Sequence, residues 1–245
     1  MTVGMRDNDD ISLAAVSNYG LALEFASVRI KNAAVVVEAA VAQDGRALKY
    51  ASRVIRGNKF IVKTAVSNFG RALEFASPEF QGMADVVLAA VKNDGGALEF
   101  ASPAMCDDFQ IVKLAVANDG CALMFASEEL RADHRIVALA VICHGEALEY
   151  ASEELQDDDA IVAIAVSNYG EIIRFASPRL RISATICYAA LNQTHRASLY
   201  IDKNWELPQP PIKKTMTYDD LSDVDDSEFD LPAPSLLGSL RGFFW

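Results

Sequence analysis

Phe25-Ala26-Ser27 sets the frame of this chain. It returns as Tyr50-Ala51-Ser52, Phe75-Ala76-Ser77, Phe100-Ala101-Ser102, Phe125-Ala126-Ser127, Tyr150-Ala151-Ser152 and Phe175-Ala176-Ser177, and in decayed form as Tyr200-Ile201-Asp202. The spacing is 25 residues every time, without insertion or deletion. A period that strict means that each unit stacks on the next through the same contacts, as in a solenoid.

Upstream of each copy lies a helix signature. Ile161, Val162, Ala165 and Val166 share one side of a 3.6-residue helix, and their copies are apolar almost throughout. This is the expected buried stripe, with the small alanines allowing close helix approach. Asp158 is placed to cap that helix, as are Asn8, Asn58, Asp108, Asp133 and Ser183; Ala33 and Met83 are the exceptions. Glycine closes the segment seven times, from Gly20 to Gly170, and is expected to stop the helix in a left-handed conformation. His195 replaces it in the last copy. A shorter helix with Ala-Leu and an aromatic follows. The recurring serine, three times Ser-Pro, then opens a tight turn, pinned by an apolar residue such as Ile30, Phe80 or Leu155. No unit buries its own apolar face, but eight stacked units do. The expected fold is therefore all-α, a solenoid of about eight 25-residue helix-turn-helix repeats over residues 1–202, the last a degenerate cap.

The pattern Asp-x-x-Ile-Val-x-x-Ala-Val-x-Asn-x-Gly-x-Ala-Leu-x-Phe-Ala-Ser, clearest at 158–177 and 58–77, resembles the repeats of the domain-of-unknown-function family numbered 4116. The resemblance spans roughly residues 8–202. It implies an α-helical repeat and no known activity. The last copy departs from the pattern at His195, Ser198, Ile201 and Asp202, which suits a terminal cap.

The net charge of −12 argues against a nucleic-acid partner and disfavours an anionic membrane surface. Cys106, Cys121, Cys143 and Cys187 fall at different places in the repeat and form no disulfide framework. With no signal-peptide pattern and no apolar span, a cytoplasmic or nuclear protein is expected. Cys121, His134, Cys143 and His144 lack metal-ligand spacing, so no metal or cofactor is expected. Glu128-Glu129 and Glu153-Glu154 answer the helix dipole at the start of turns. The repeated serine is structural, since seven identical nucleophiles make no sense.

Variation between copies marks the candidate binding positions. A stripe at i, i+3 and i+7 of the long helix, opposite the buried one, changes freely and includes Phe60, Leu88, Ile142 and Tyr188. A second row lies just before each glycine and includes Tyr19, Phe69 and Tyr169. Residues 203–217 contain Pro208, Pro210 and Pro211 and read as a linker. Residues 218–245 read as an acidic disordered tail in which Leu221 and Phe229 interrupt the acids, ending in the apolar Phe243-Phe244-Trp245. Ser222 and Ser227 precede acids, as acidophilic kinase sites do. The expected function is a non-enzymatic scaffold that binds another protein or peptide, with a C-terminal linear motif. One alternative is an adaptor whose tail masks the solenoid surface. The other is an enzyme whose site lies in a groove lined by buried acids and His144.

Overall fold

The computed structural model describes residues 6–201, which are helical with no strand among them. Eight long helices of ten residues each follow at the 25-residue period. They are α1 (Asp9–Asn18), α2 (Ala34–Gln43), α3 (Lys59–Asn68), α4 (Ala84–Asn93), α5 (Phe109–Asn118), α6 (His134–Cys143), α7 (Asp159–Asn168) and α8 (Ala184–Gln193). Each packs against the next along the whole array. The chain is an all-α solenoid.

The caps follow the side-chain chemistry. The Asp108 carboxylate accepts from the N–H groups of Gln110 (2.9 Å) and Ile111 (3.0 Å), satisfying two of the free donors at the start of α5. Asn58, Asp133 and Asp158 do the same for α3, α6 and α7, and Asn8 accepts from the single N–H of Ile11 at the start of α1. Ala33 and Met83 supply no cap. Ser183 corrects one expectation: its side chain caps nothing. The stripe Ile161, Val162, Ala165 and Val166 is fully buried, as are its copies in the central repeats.

The segment after each long helix is tighter than expected. Gly120–Phe125 and its equivalents are 3₁₀-helices, not α-helices, six residues long in the first seven repeats and five, His195–Leu199, in the eighth. With three residues per turn, Ala122 and Phe125 share one edge and Leu123 lies on the next. Ala122 and Leu123 are fully buried and Phe125 half-buried, so the aromatic lies two residues after the leucine. Six residues is long for this helix type. Buried side chains on two edges hold it. Where the preceding residue is acidic, that residue caps it as well, as Asp119 does by accepting from Cys121 N–H (3.0 Å). The turn after the serine becomes a single helical turn, α-helical at Pro78–Gln81, Pro103–Cys106, Glu128–Arg131 and Glu153–Gln156, and 3₁₀ at Ile30–Asn32, Ile55–Gly57 and Leu180–Ile182.

The recurring glycine also needs a correction. No described glycine has a positive φ, so none is a left-handed stop. The long helix instead ends on an extended residue such as Asp119 (φ −140°, ψ 107°). Glycine is required because the next repeat lies against it. A Cβ on Gly95 would stand 2.4 Å from the carbonyl oxygen of Ala115, and one on Gly45 would stand 2.3 Å from that of Ala65. The same collision, with the alanine 20 residues on, recurs from Gly20 to Gly170. His195 stands at the matching position of the eighth repeat.

Two further devices tie each repeat to its neighbour. The last residue of a long helix reaches back across the junction. Asn118 accepts from Gly95 N–H (3.0 Å) and donates to the carbonyl of Lys92 (3.2 Å), near the end of the preceding helix. Asn68 and Asn93 repeat both bonds. The serine N–H donates to a carbonyl 21 residues back at all seven junctions, for instance Ser127 to Cys106 (2.9 Å). The Ser127 hydroxyl donates to Asp107 (2.6 Å) and accepts from Leu130 N–H (3.3 Å). Ser77 faces Gly57 at the matching position, and its buried hydroxyl has no partner. The serine thus has the structural role its repetition implied.

Candidate protein-interaction surface

Once the recurring residues are assigned to caps, collisions and junction bonds, the variable residues remain, and they are largely on the surface. The variable stripe of the long helices exposes Phe60 (63%), Ile142 (57%), Tyr188 (42%) and Leu88 (36%). These four carry copies of the same stripe, and successive helices pack side by side, so the array brings them onto one face. Val35 (70% exposed) belongs to the same stripe. It was not singled out because valine is a weaker cue than an aromatic; its phase, shared with Phe60, was the available signal.

The row before the glycines divides by chemistry. Tyr19 and Tyr169 are exposed, whereas Phe69 is half-buried against the core. Asp44, Asp94 and Asp119 cap the following 3₁₀-helices. His144 has a different task. Cys143 stands where the junction asparagine belongs, and the imidazole Nδ1 of His144 accepts the Gly120 N–H (2.9 Å) in its place. Cys143 retains only a long contact to the Ala117 carbonyl (3.8 Å).

Two surface grooves lie among these residues. One, of about 480 Å³, runs between α2 and α3 and is lined by Ala42, Phe60, Lys63, Thr64, Ser67 and Asn68. The other, of about 440 Å³, lies between α6 and α7, where Ile142, His144, Glu146 and Tyr169 meet. Two of the residues singled out in the sequence, Ile142 and Tyr169, are brought together there. His144 and Glu146 are both exposed, so this groove holds no buried acid.

Charge is sorted along the long helices. The four central ones carry Lys59, Lys63, Lys92, Lys113 and Arg135 against the single acid Asp85. Helices α1, α2 and α7 carry Asp9, Asp10, Glu38 and Asp159 and no cation. Lys59 (3.1 Å) and Lys63 (3.2 Å) both pair with Asp85, and their hydrogen bonds, that from Lys59 foremost, hold its carboxyl below the usual range. Arg135 pairs with Asp133 (2.7 Å) and lies over the Phe109 ring at 4.5 Å. Lys92 and Lys113 make no ion pair among the described residues. The acids gather on the turns instead, where Glu79, Glu128, Glu129, Glu153 and Glu154 are exposed.

Among the described residues, no group of three or more His, Cys, Asp or Glu side chains is placed to hold a metal ion. Burial raises the Cys187 thiol to about 11, and it raises Cys121 too, where the nearby Asp119, Glu146 and Glu149 add to the effect. No helix among the described residues is long and apolar enough to cross a membrane. The expected linker 203–217 and tail 218–245, with Leu221, Phe229, Phe243, Phe244 and Trp245, lie outside the described residues, as do Ser222 and Ser227.

Fold and surface together define a helical-repeat solenoid with a variable outer face. The family described as "Domain of unknown function (DUF4116)" matches three times in tandem, at residues 36–81, 85–131 and 133–181, and the chain belongs to it. Each match spans close to two of the 25-residue units. No curated protein and no solved structure matches the chain.

Proposed function

We propose that this protein is a non-enzymatic binding scaffold whose long-helix face takes another protein or a peptide. The observation that carries this reading is the division of labour between positions. Glycine, the junction asparagine, the serine and the capping acid are occupied with holding repeats together, while the positions that vary are exposed and include Phe60, Leu88 and Ile142. Large apolar side chains left in water across neighbouring units are what protein-binding faces present. The recurring polar groups are engaged structurally, and the His144 Nδ1 is engaged by Gly120, which supports binding over catalysis. A soluble partner in the cytoplasm or nucleus fits better than nucleic acid or a membrane surface, because the net charge is −12.

The test is capture of partners from a native-source extract by the full chain and by residues 1–206. Capture by both places binding on the helical array. Capture by the full chain alone places it on the C-terminal segment and overturns the assignment to the long-helix face.

A further inference from the structure

The chemistry of that partner follows from the charge sorting. Resting on the scaffold reading above, we infer that the long-helix face of α3 to α6 is a docking surface for an acidic peptide segment that carries apolar side chains. Between their capping residues, Asp94, Asp108, Asp119 and Asp133 among them, these four helices carry more cations than acids. In a chain of net charge −12, Lys59, Lys63, Lys92, Lys113 and Arg135 share four successive helices with one acid. Lys92 and Lys113 have no ion-pair partner among the described residues, so their charges are open to an incoming carboxylate. Phe60, Leu88 and Ile142, all exposed, lie on the same set of helices and supply apolar contact. The flanking helices bear acids in place of cations, which bounds the surface at both ends.

Size agrees with this occupant. Helices pack about 10 Å apart, so α3 to α6 span about 30 Å. An extended peptide rises about 3.3 Å per residue and covers that distance in about nine residues. A nucleic-acid strand fits less well. Asp85 already engages Lys59 and Lys63 and Asp133 engages Arg135, which leaves few open cations for a phosphate backbone, while the exposed Phe60, Leu88 and Ile142 suit apolar side chains. Carboxylates steer to such a face from a distance, and the apolar groups then hold the complex.

The chain's own sequence provides a probe of this chemistry. Residues 218–231, Tyr-Asp-Asp-Leu-Ser-Asp-Val-Asp-Asp-Ser-Glu-Phe-Asp-Leu, interleave acids with apolar side chains. A labelled synthetic peptide of that sequence is titrated with residues 1–206, which hold every core residue found in the array. Two control peptides replace its acids by Asn and Gln, or by Lys. A single-stranded oligonucleotide is titrated in parallel.

The acidic peptide is expected to bind at least about tenfold more tightly than either control and to weaken as salt is raised. Lys63→Glu with Lys113→Glu is expected to weaken it by about tenfold or more, with helical content and melting temperature held. Equal binding of all three peptides, lost on Phe60→Ser with Ile142→Ser, overturns the acidic chemistry and leaves the scaffold reading standing. Binding of the oligonucleotide in preference to the peptide overturns it as well. If no peptide binds, and the same face variants leave partner capture unchanged, both readings fail.

Discussion

Replacing Gly95 by alanine tests the junction between repeats four and five. A Cβ there would lie 2.4 Å from the Ala115 carbonyl oxygen and 2.9 Å from the Asp119 backbone nitrogen. Carbon-to-oxygen contact is ordinarily no closer than about 3.3 Å, so the two repeats must part by nearly 1 Å. The obstacle is backbone, which no rotamer change can move aside. Overpacking by one methyl group costs about 1–3 kcal/mol. Straining the Gly95 N–H bond to Asn118 adds about 1 kcal/mol. Against this, alanine gains about 0.5–1 kcal/mol by restricting the unfolded chain, since the φ is not positive. The net expectation is about 2 kcal/mol of destabilisation, or a melting temperature lowered by about 4–8 °C. Gly57 is the internal control, because nothing lies within 4 Å of a Cβ built there. Gly57→Ala is expected to be neutral or to raise the melting temperature slightly. Thermal melts followed by circular dichroism read both variants. Equal effects at Gly57 and Gly95, or no loss at Gly95, would refute the collision argument.

Other expectations bear on the same framework. Asn118→Ala removes both junction bonds and leaves a half-buried N–H and a carbonyl without partners; it should cost about 2 kcal/mol in denaturant unfolding, against a few tenths for the terminal Asn18, whose amide turns back on its own helix. Ala33→Asp supplies the missing cap of α2 and should stabilise by about 0.5–1 kcal/mol, read as a shifted urea midpoint. Acid should destabilise the array in a defined window. Hydrogen bonds from Arg135 hold the Asp133 carboxyl at about 2, and those from Ser27 and Ser177 depress Asp7 and Asp157. Groups depressed on folding contribute stability above their unfolded value of about 3.9 and lose it as pH falls through the folded one. Melting temperature should therefore hold down to about pH 4 and fall between about pH 4 and 2. Asp133→Asn should flatten that fall.

Local signals were legible in the chain; contacts across repeats were not. The 3.6 period of Ile161, Val162, Ala165 and Val166 gave the buried stripe directly, and Asp108 and Asp158 read as caps because capping is settled within three residues. Glycine was visible at Gly95 and its copies, but its cause was not. The group that forbids a side chain belongs to Ala115, 20 residues on, and only stacking brings it close. The junction asparagine was hidden for the same reason. Its signal was present in the repeated Asn-x-Gly of Asn68, Asn93, Asn118 and Asn168, yet its partners are in the preceding repeat. The 3₁₀ form of Gly120–Phe125 escaped because six residues are too few to separate a period of 3.0 from 3.6. The exposed stripe was legible from variation between copies. Its charge sorting became meaningful once α3 to α6 were placed side by side.

The most direct measurement compares partner capture by the full chain with capture by a Phe60→Ser, Leu88→Ser, Ile142→Ser variant, each checked for its melting temperature. These side chains are exposed, so the fold should not need them. Capture is expected to be lost while the melting temperature stays within a degree or two of the unmodified chain. Undiminished capture by a variant that melts normally would contradict it, because the variable face would then have no part in binding.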